Sequence, residues 1–92
     1  MATWIKTDGT ETTVSPKGRF FCLEELQQFV GGWIELAYTH AGRQMFLNEE
    51  GKLRDLPLNL KATILYQYGI LDPIVGDVVV LDESEEEKED EE

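Results

Sequence analysis

The sequence predicts a small α+β domain: a mixed β-sheet with two short helices, in the order β-β-α-β-β-α-β, followed by a disordered acidic tail. Three observations predict it. Short strand-like runs are separated by turn chemistry, two windows carry helical apolar spacing closed by glycine, and the last apolar run gives way abruptly to acid. The 92 residues make one domain, over 1–81, with the tail at 82–92. An apolar fraction of 41% suffices for one packed core.

Residues 3–6 read as a strand, and Asp8-Gly9 supplies a hairpin turn into a threonine-rich strand at 11–14. Residues 15–18 are loop. Leu23, Leu26, Phe29 and Val30 then recur at helical spacing, with Glu24, Glu25, Gln27 and Gln28 on the wet face. The early acids suit the positive end of the helix dipole. Gly31-Gly32 ends this helix, as glycine does where φ turns positive. Residues 33–38 follow as a strand. With Ile34 and Leu36 toward the core, Trp33, Glu35 and Ala37 lie on the opposite face. A turn at 39–43 leads to a partner strand at 44–47, and a second turn at 48–52 has Gly51 as its left-handed residue.

Leu56-Pro57-Leu58-Asn59 leads into a second helix over 60–68, with Asn59 as N-cap. Leu60 and Ile64, with Ala62, Leu65 and Tyr68, are expected on its buried side, and Gly69 ends it. The unbroken apolar run at 78–81 predicts a central strand covered on both faces. Both helices are expected against one face of the sheet.

The formal net charge of −11 is unevenly spread. Residues 82–92 hold nine acids and one lysine, a charge of −8, while 1–81 hold ten acids and seven bases, a charge of −3. So acidic a chain lacks the basic footprint that a nucleic-acid backbone requires, and direct nucleic-acid binding is not expected. A single cysteine forms no internal disulfide, no apolar run reaches membrane-span length, and no signal-peptide pattern opens the chain. The expectation is a cytoplasmic protein without membrane contact.

Catalytic constellations are scarce. One His and one Cys, without metal-ligand spacing, make zinc improbable, and no cofactor is expected. Cys22 before a helix and His40 in a turn would make a nucleophile and base only if brought together; a cysteine beside Phe20, Phe21 and Leu23 reads first as a small core residue. Glu35 with Glu49 or Glu50 would make an acid pair, or else Glu35 lies on a wet face near Arg43 or Lys52. The amides opening the second helix, with Arg54 or Lys61 nearby, offer a weak anion site. An exposed Trp33 would mark a binding face.

The ordered pieces Leu23-Glu24-Glu25-Leu26-Gln27, Val30-Gly31-Gly32-Trp33-Ile34-Glu35, Asn48-Glu49-Glu50-Gly51-Lys52, Leu56-Pro57-Leu58-Asn59 with Ala62-Thr63, and Ile74-Val75-Gly76-Asp77-Val78-Val79-Val80 together resemble a small family of domains of unknown function. That family is common in bacteriophages, plasmids and other mobile elements. The resemblance covers most of residues 3–81 and implies an accessory protein that counters host defence in the host cytoplasm. Asn48, Glu49, Asn59 and Thr63 recur in the pattern and flank turns that could converge on a small nucleotide-like ligand, with Glu35 and Trp33 beside them; the asparagines could equally satisfy turn and cap backbone groups. The expected partner is a host protein or that ligand, with a homodimer open through a free strand edge. Two other readings stand beside this one: an acidic decoy of DNA acting through the tail, and a small enzyme of unspecified reaction.

Overall fold

Four consecutive apolar residues at 78–81 need cover on both faces, and this need organises the molecule. In the computed structural model, which describes residues 1–82, the chain forms β1 (Ala2–Ile5), β2 (Glu11–Val14), α1 (Leu23–Val30), β3 (Ile34–Tyr38), β4 (Gln44–Asn48), α2 (Leu60–Leu65) and β5 (Val78–Leu81). The strands make one five-stranded sheet in the order β2-β1-β5-β4-β3, so β5 is central, and all four of its residues are buried.

The expected mixed sheet is instead antiparallel at every pairing. β1-β2 and β3-β4 are hairpins whose inner strands, β1 and β4, run the same way and leave one slot between them. β5 fills that slot antiparallel to both.

The helices do not share a face either. Alternate residues of a strand point to opposite sides. Val79 and Leu81 pack with Ala2, Leu26, Trp4, Phe29 and Phe46 under α1. Val78 and Val80 pack with Ile5, Met45, Ala37, Ala62 and Ile74 on the α2 side. An all-apolar central strand with one helix on each side leaves neither face wet.

In α1, Leu26 and Val30 are buried as the spacing predicts, but Leu23 is half exposed. Trp4 packs at a tilt against Phe29 with ring centroids 5.0 Å apart, and its indole N–H donates to the Phe29 carbonyl at 3.1 Å. Gly31 closes the helix with φ 81°. The turn at 48–52 departs from expectation. Gly51 has no positive φ; the residue that does is Asp55, at 55°. Gly51 is glycine because it is buried, and a Cβ there would come within 2.9 Å of the Val75 side chain.

α2 is shorter than 60–68 and is turned about its axis relative to the expected face. Its buried line runs Asn59, Ala62 and Tyr66, while Leu60 and Ile64 face solvent. It ends at Leu65 because Tyr66 becomes extended and bridges Thr39, and Gln67 N–H donates to the Tyr38 carbonyl at 3.1 Å. Asp82 still belongs to the domain, its N–H donating to the Met1 carbonyl; the rest of the predicted acidic tail lies outside the described residues. Among the described residues, no helix is long and apolar enough to cross a membrane.

Glu25 anchors the loop before α1. Its carboxylate accepts from the Lys17 N–H at 3.0 Å and from the Cys22 N–H at 3.2 Å. These two bonds, the Lys17 one first, hold its carboxyl below its ordinary value of 4.5. The unfolded chain therefore binds this proton more readily than the folded one. The stabilisation is present above about pH 4.5 and is lost as pH falls through the depressed folded value. Urea midpoints measured from pH 6 downward should fall below about pH 4.5, and Glu25→Gln should flatten that fall.

Candidate functional site

Asn48 ends β4 and is buried. Its side-chain amide donates to the Val30 carbonyl at 3.2 Å, and its carbonyl oxygen accepts from the Glu50 N–H at 2.8 Å. It thereby fastens the end of α1 to the turn after β4. Gly32 is tight against it, since a Cβ there would lie 3.0 Å from the Asn48 amide nitrogen.

Asn59 is 1% exposed and caps α2 as predicted, its Oδ1 accepting from the Ala62 N–H at 3.1 Å. Its Nδ2 donates to the carbonyls of Ile5 at 3.0 Å and Gly76 at 2.8 Å. Thr63 Oγ1 donates to the Asn59 carbonyl and accepts from the Ile74 N–H, both at 2.8 Å. The polar atoms of all three side chains are thus engaged inside the fold.

Glu35, Asn48 and Glu49 do come together, lining a cleft of about 120 Å³ with Ala37, Leu47 and Tyr66. Lys52 and Asp72 form an ion pair at its rim. Three carboxylates against one paired ammonium give the cleft an acidic wall. Asn59 and Thr63 do not line it. Trp33, 62% exposed, stands outside it immediately before β3. The cations beside the α2 opening are also engaged: Lys61 with Glu11 at 2.8 Å and the Gly9 carbonyl at 2.7 Å, Arg54 with Glu50 at 3.2 Å.

Cys22 is exposed at the α1 N-cap rather than in the core: its backbone is extended there, ahead of the helical turns that carry Leu26 and Val30 to the sheet. His40 is exposed beside α2, its N–H donating to the Leu65 carbonyl. The two helices lie on opposite faces, so Cys22 and His40 form no pair.

A second concavity, of about 540 Å³, was not expected from the sequence. It is bordered by His40, Thr63, Ile64, Tyr66, Tyr68 and Leu71. Tyr68 crosses Tyr66 edge-on at 5.8 Å, and Ile70 is fully exposed beside it. The 66–72 turn is tightly built: both the Leu71 and Asp72 N–H groups donate to the Tyr68 carbonyl at 2.9 Å, and any Cβ on Gly69 would overlap the Thr63 carbonyl oxygen. The signal available in sequence was the run Tyr68-Gly69-Ile70-Leu71-Asp72-Pro73. Its glycine and proline stop the helix and strand these apolar side chains on a turn.

Residues 4–91 match a family described as a domain of unknown function, DUF3846. The chain belongs to this family. The DUF3846 match runs past residue 81, where the resemblance ends, and takes in acidic residues beyond the described structure. No curated protein and no solved structure matches the chain.

Proposed function

We propose that this DUF3846 chain is a non-catalytic accessory protein of a phage or mobile element, acting in the host cytoplasm by docking a host protein through the α2 surface. The observation that carries this reading is the outward run Ile64, Tyr68, Ile70 and Leu71. Ile70 is fully exposed and Leu71 is 85% exposed, on a turn fixed by its own backbone bonds. Apolar side chains that protrude from a rigid turn suit a pocket on another protein.

Sequestration of a nucleotide-like ligand has less support. Asn48, Asn59 and Thr63 spend their hydrogen bonds inside the fold, and the Glu35–Glu49 cleft is small and acidic, which disfavours phosphate. The acidic decoy acts through residues outside the described structure and is separated by truncation.

The test compares the full chain, the chain ending at Asp82, and Ile64→Asp/Ile70→Asp as bait in host extract, with bound proteins quantified by mass spectrometry. Both substitutions are at exposed positions and should leave the melting temperature nearly unchanged. One host protein should be retained by the first two and lost about tenfold or more with the double variant. Retention by the double variant, or loss on truncation alone, refutes the reading. So does a thermal shift with a nucleotide panel that the double variant preserves.

A further inference from the structure

The sheet has two outer edges, β2 and β3. β2 presents threonines and ties Glu11 to Lys61. β3 differs, carrying Leu36 and Tyr38 as exposed apolar side chains, with the exposed Trp33 immediately before it. The Glu49 N–H donates to the Trp33 carbonyl and the Thr39 N–H to the Arg43 carbonyl, so residues 33, 35, 37 and 39 bond inward to β4. The backbone N–H and C=O groups of Ile34 and Leu36 therefore point away from the sheet, and among the described residues nothing takes them up. The Tyr38 carbonyl, on the same side, is already bonded to Gln67, which closes the edge at that end. The open run is 33–37.

We infer that β3 pairs antiparallel with β3 of a second copy, joining two five-stranded sheets across a twofold axis at Glu35. The register follows by elimination: an axis at Ile34 would set Leu36 opposite Gly32, whose N–H already donates to the Gln27 carbonyl. An axis at Leu36 would bring Ile34 of the second copy against Tyr38, where Gln67 stands. An axis at Glu35 sets Ile34 opposite Leu36 of the second copy, in both directions, and satisfies every free backbone group of those two residues.

The side chains agree with this register. On the α1 face, Ile34 meets Leu36. On the other face, the exposed Trp33 stands opposite Ala37, a small residue lining the 120 Å³ cleft, so that the indole covers the mouth of the cleft. Only Glu35 meets its own copy, a like-charge pair on a solvated face with a modest cost. The α2 surface takes no part, so this inference stands independently of the host-protein reading.

Sedimentation of the full chain at 0.15 M salt, where repulsion between the acidic copies is screened, should show a dimer that builds up with concentration. Leu36→Pro removes an N–H that points outward and leaves the ladder to β4 intact. It should weaken the dimer about thirtyfold, the loss of two hydrogen bonds. In a Cys22→Ser background, oxidised Glu35→Cys should give a covalent dimer, because a non-hydrogen-bonded opposite pair brings two cysteines within disulfide reach; Thr13→Cys on β2 should not. If Leu36→Pro fails to fold, the crosslink decides. A chain that stays monomeric to about 1 mM with no crosslink at position 35 overturns the inference. So does a dimer that a folded Leu36→Pro chain retains in full, or equal crosslinking at position 13.

Discussion

Asn59→Ala is expected to lower the unfolding free energy by about 3 kcal/mol or more, the largest loss for any single polar side chain in the domain. The residue is almost fully buried and bonds three separate segments: the carbonyl of Ile5 at the end of β1, the carbonyl of Gly76 before β5, and the N–H of Ala62 in α2. Alanine takes a donor from two buried carbonyls and the acceptor from one amide, in a space that water reaches poorly. Each such group costs about 1–3 kcal/mol, and the lost cap alone costs about 1. Two variants separate the contributions. Asn59→Ser can keep the cap but not the two donor bonds, so it falls between wild type and alanine. Asn59→Asp keeps the cap acceptor but turns an oxygen toward two carbonyl oxygens, so it is at least as damaging as alanine near neutral pH. Urea unfolding at constant pH gives the three values. A loss below about 1 kcal/mol for alanine would mean that water replaces the amide and that the stitch is dispensable.

Met45→Ala should cost about 2–5 kcal/mol by the same measurement. Met45 is fully buried on β4, opposite Val80 of the central strand, and packs among Ile5, Ala37, Ala62 and Ile74. The surrounding elements are short and bonded to one another, so they cannot collapse into the vacated space. Leu60→Ala is the contrast. Its apolar spacing would place it in the core, yet Leu60 is 62% exposed, and its truncation should change stability by less than about 0.5 kcal/mol. Equal losses at the two positions would contradict the rotation of α2 described above.

What the sequence revealed depended on how local the determining physics was. The α1 boundaries, the hairpin at Asp8-Gly9, the Asn59 cap and the buried central strand all follow from neighbouring residues, and the coordinates place them at or within a residue of the expected positions. The faces of the sheet used by the two helices did not, because the side a crossing helix takes is settled by strand order, which no local pattern encodes. The rotation of α2 was hidden for a related reason: Leu60 and Ile64 fit helical spacing as well as Asn59, Ala62 and Tyr66 do, and the polar Asn59 disguises the true seam. At the candidate site, Glu35, Asn48 and Glu49 line one cleft, while Asn59 and Thr63 are internal fastenings. The apolar α2 surface went unseen because exposure is a tertiary property; the residues that form it read as an ordinary helix end.

The position of β5 also has a kinetic side. The two hairpins are local and can form early, but the sheet closes only when residues 78–81 enter between them, with Leu81 meeting Ala2 at the far end of the described chain. Closure is therefore a long-range event, and long-range closure is what makes folding slow. Until it happens, β1 and β4 present two facing rows of unpaired amides and carbonyls, a template that a strand from a neighbouring molecule can occupy in place of the chain's own. The last strand to join is thus also the guard against strand exchange, and refolding yield should depend on how dilute the chains are while that slot stands open.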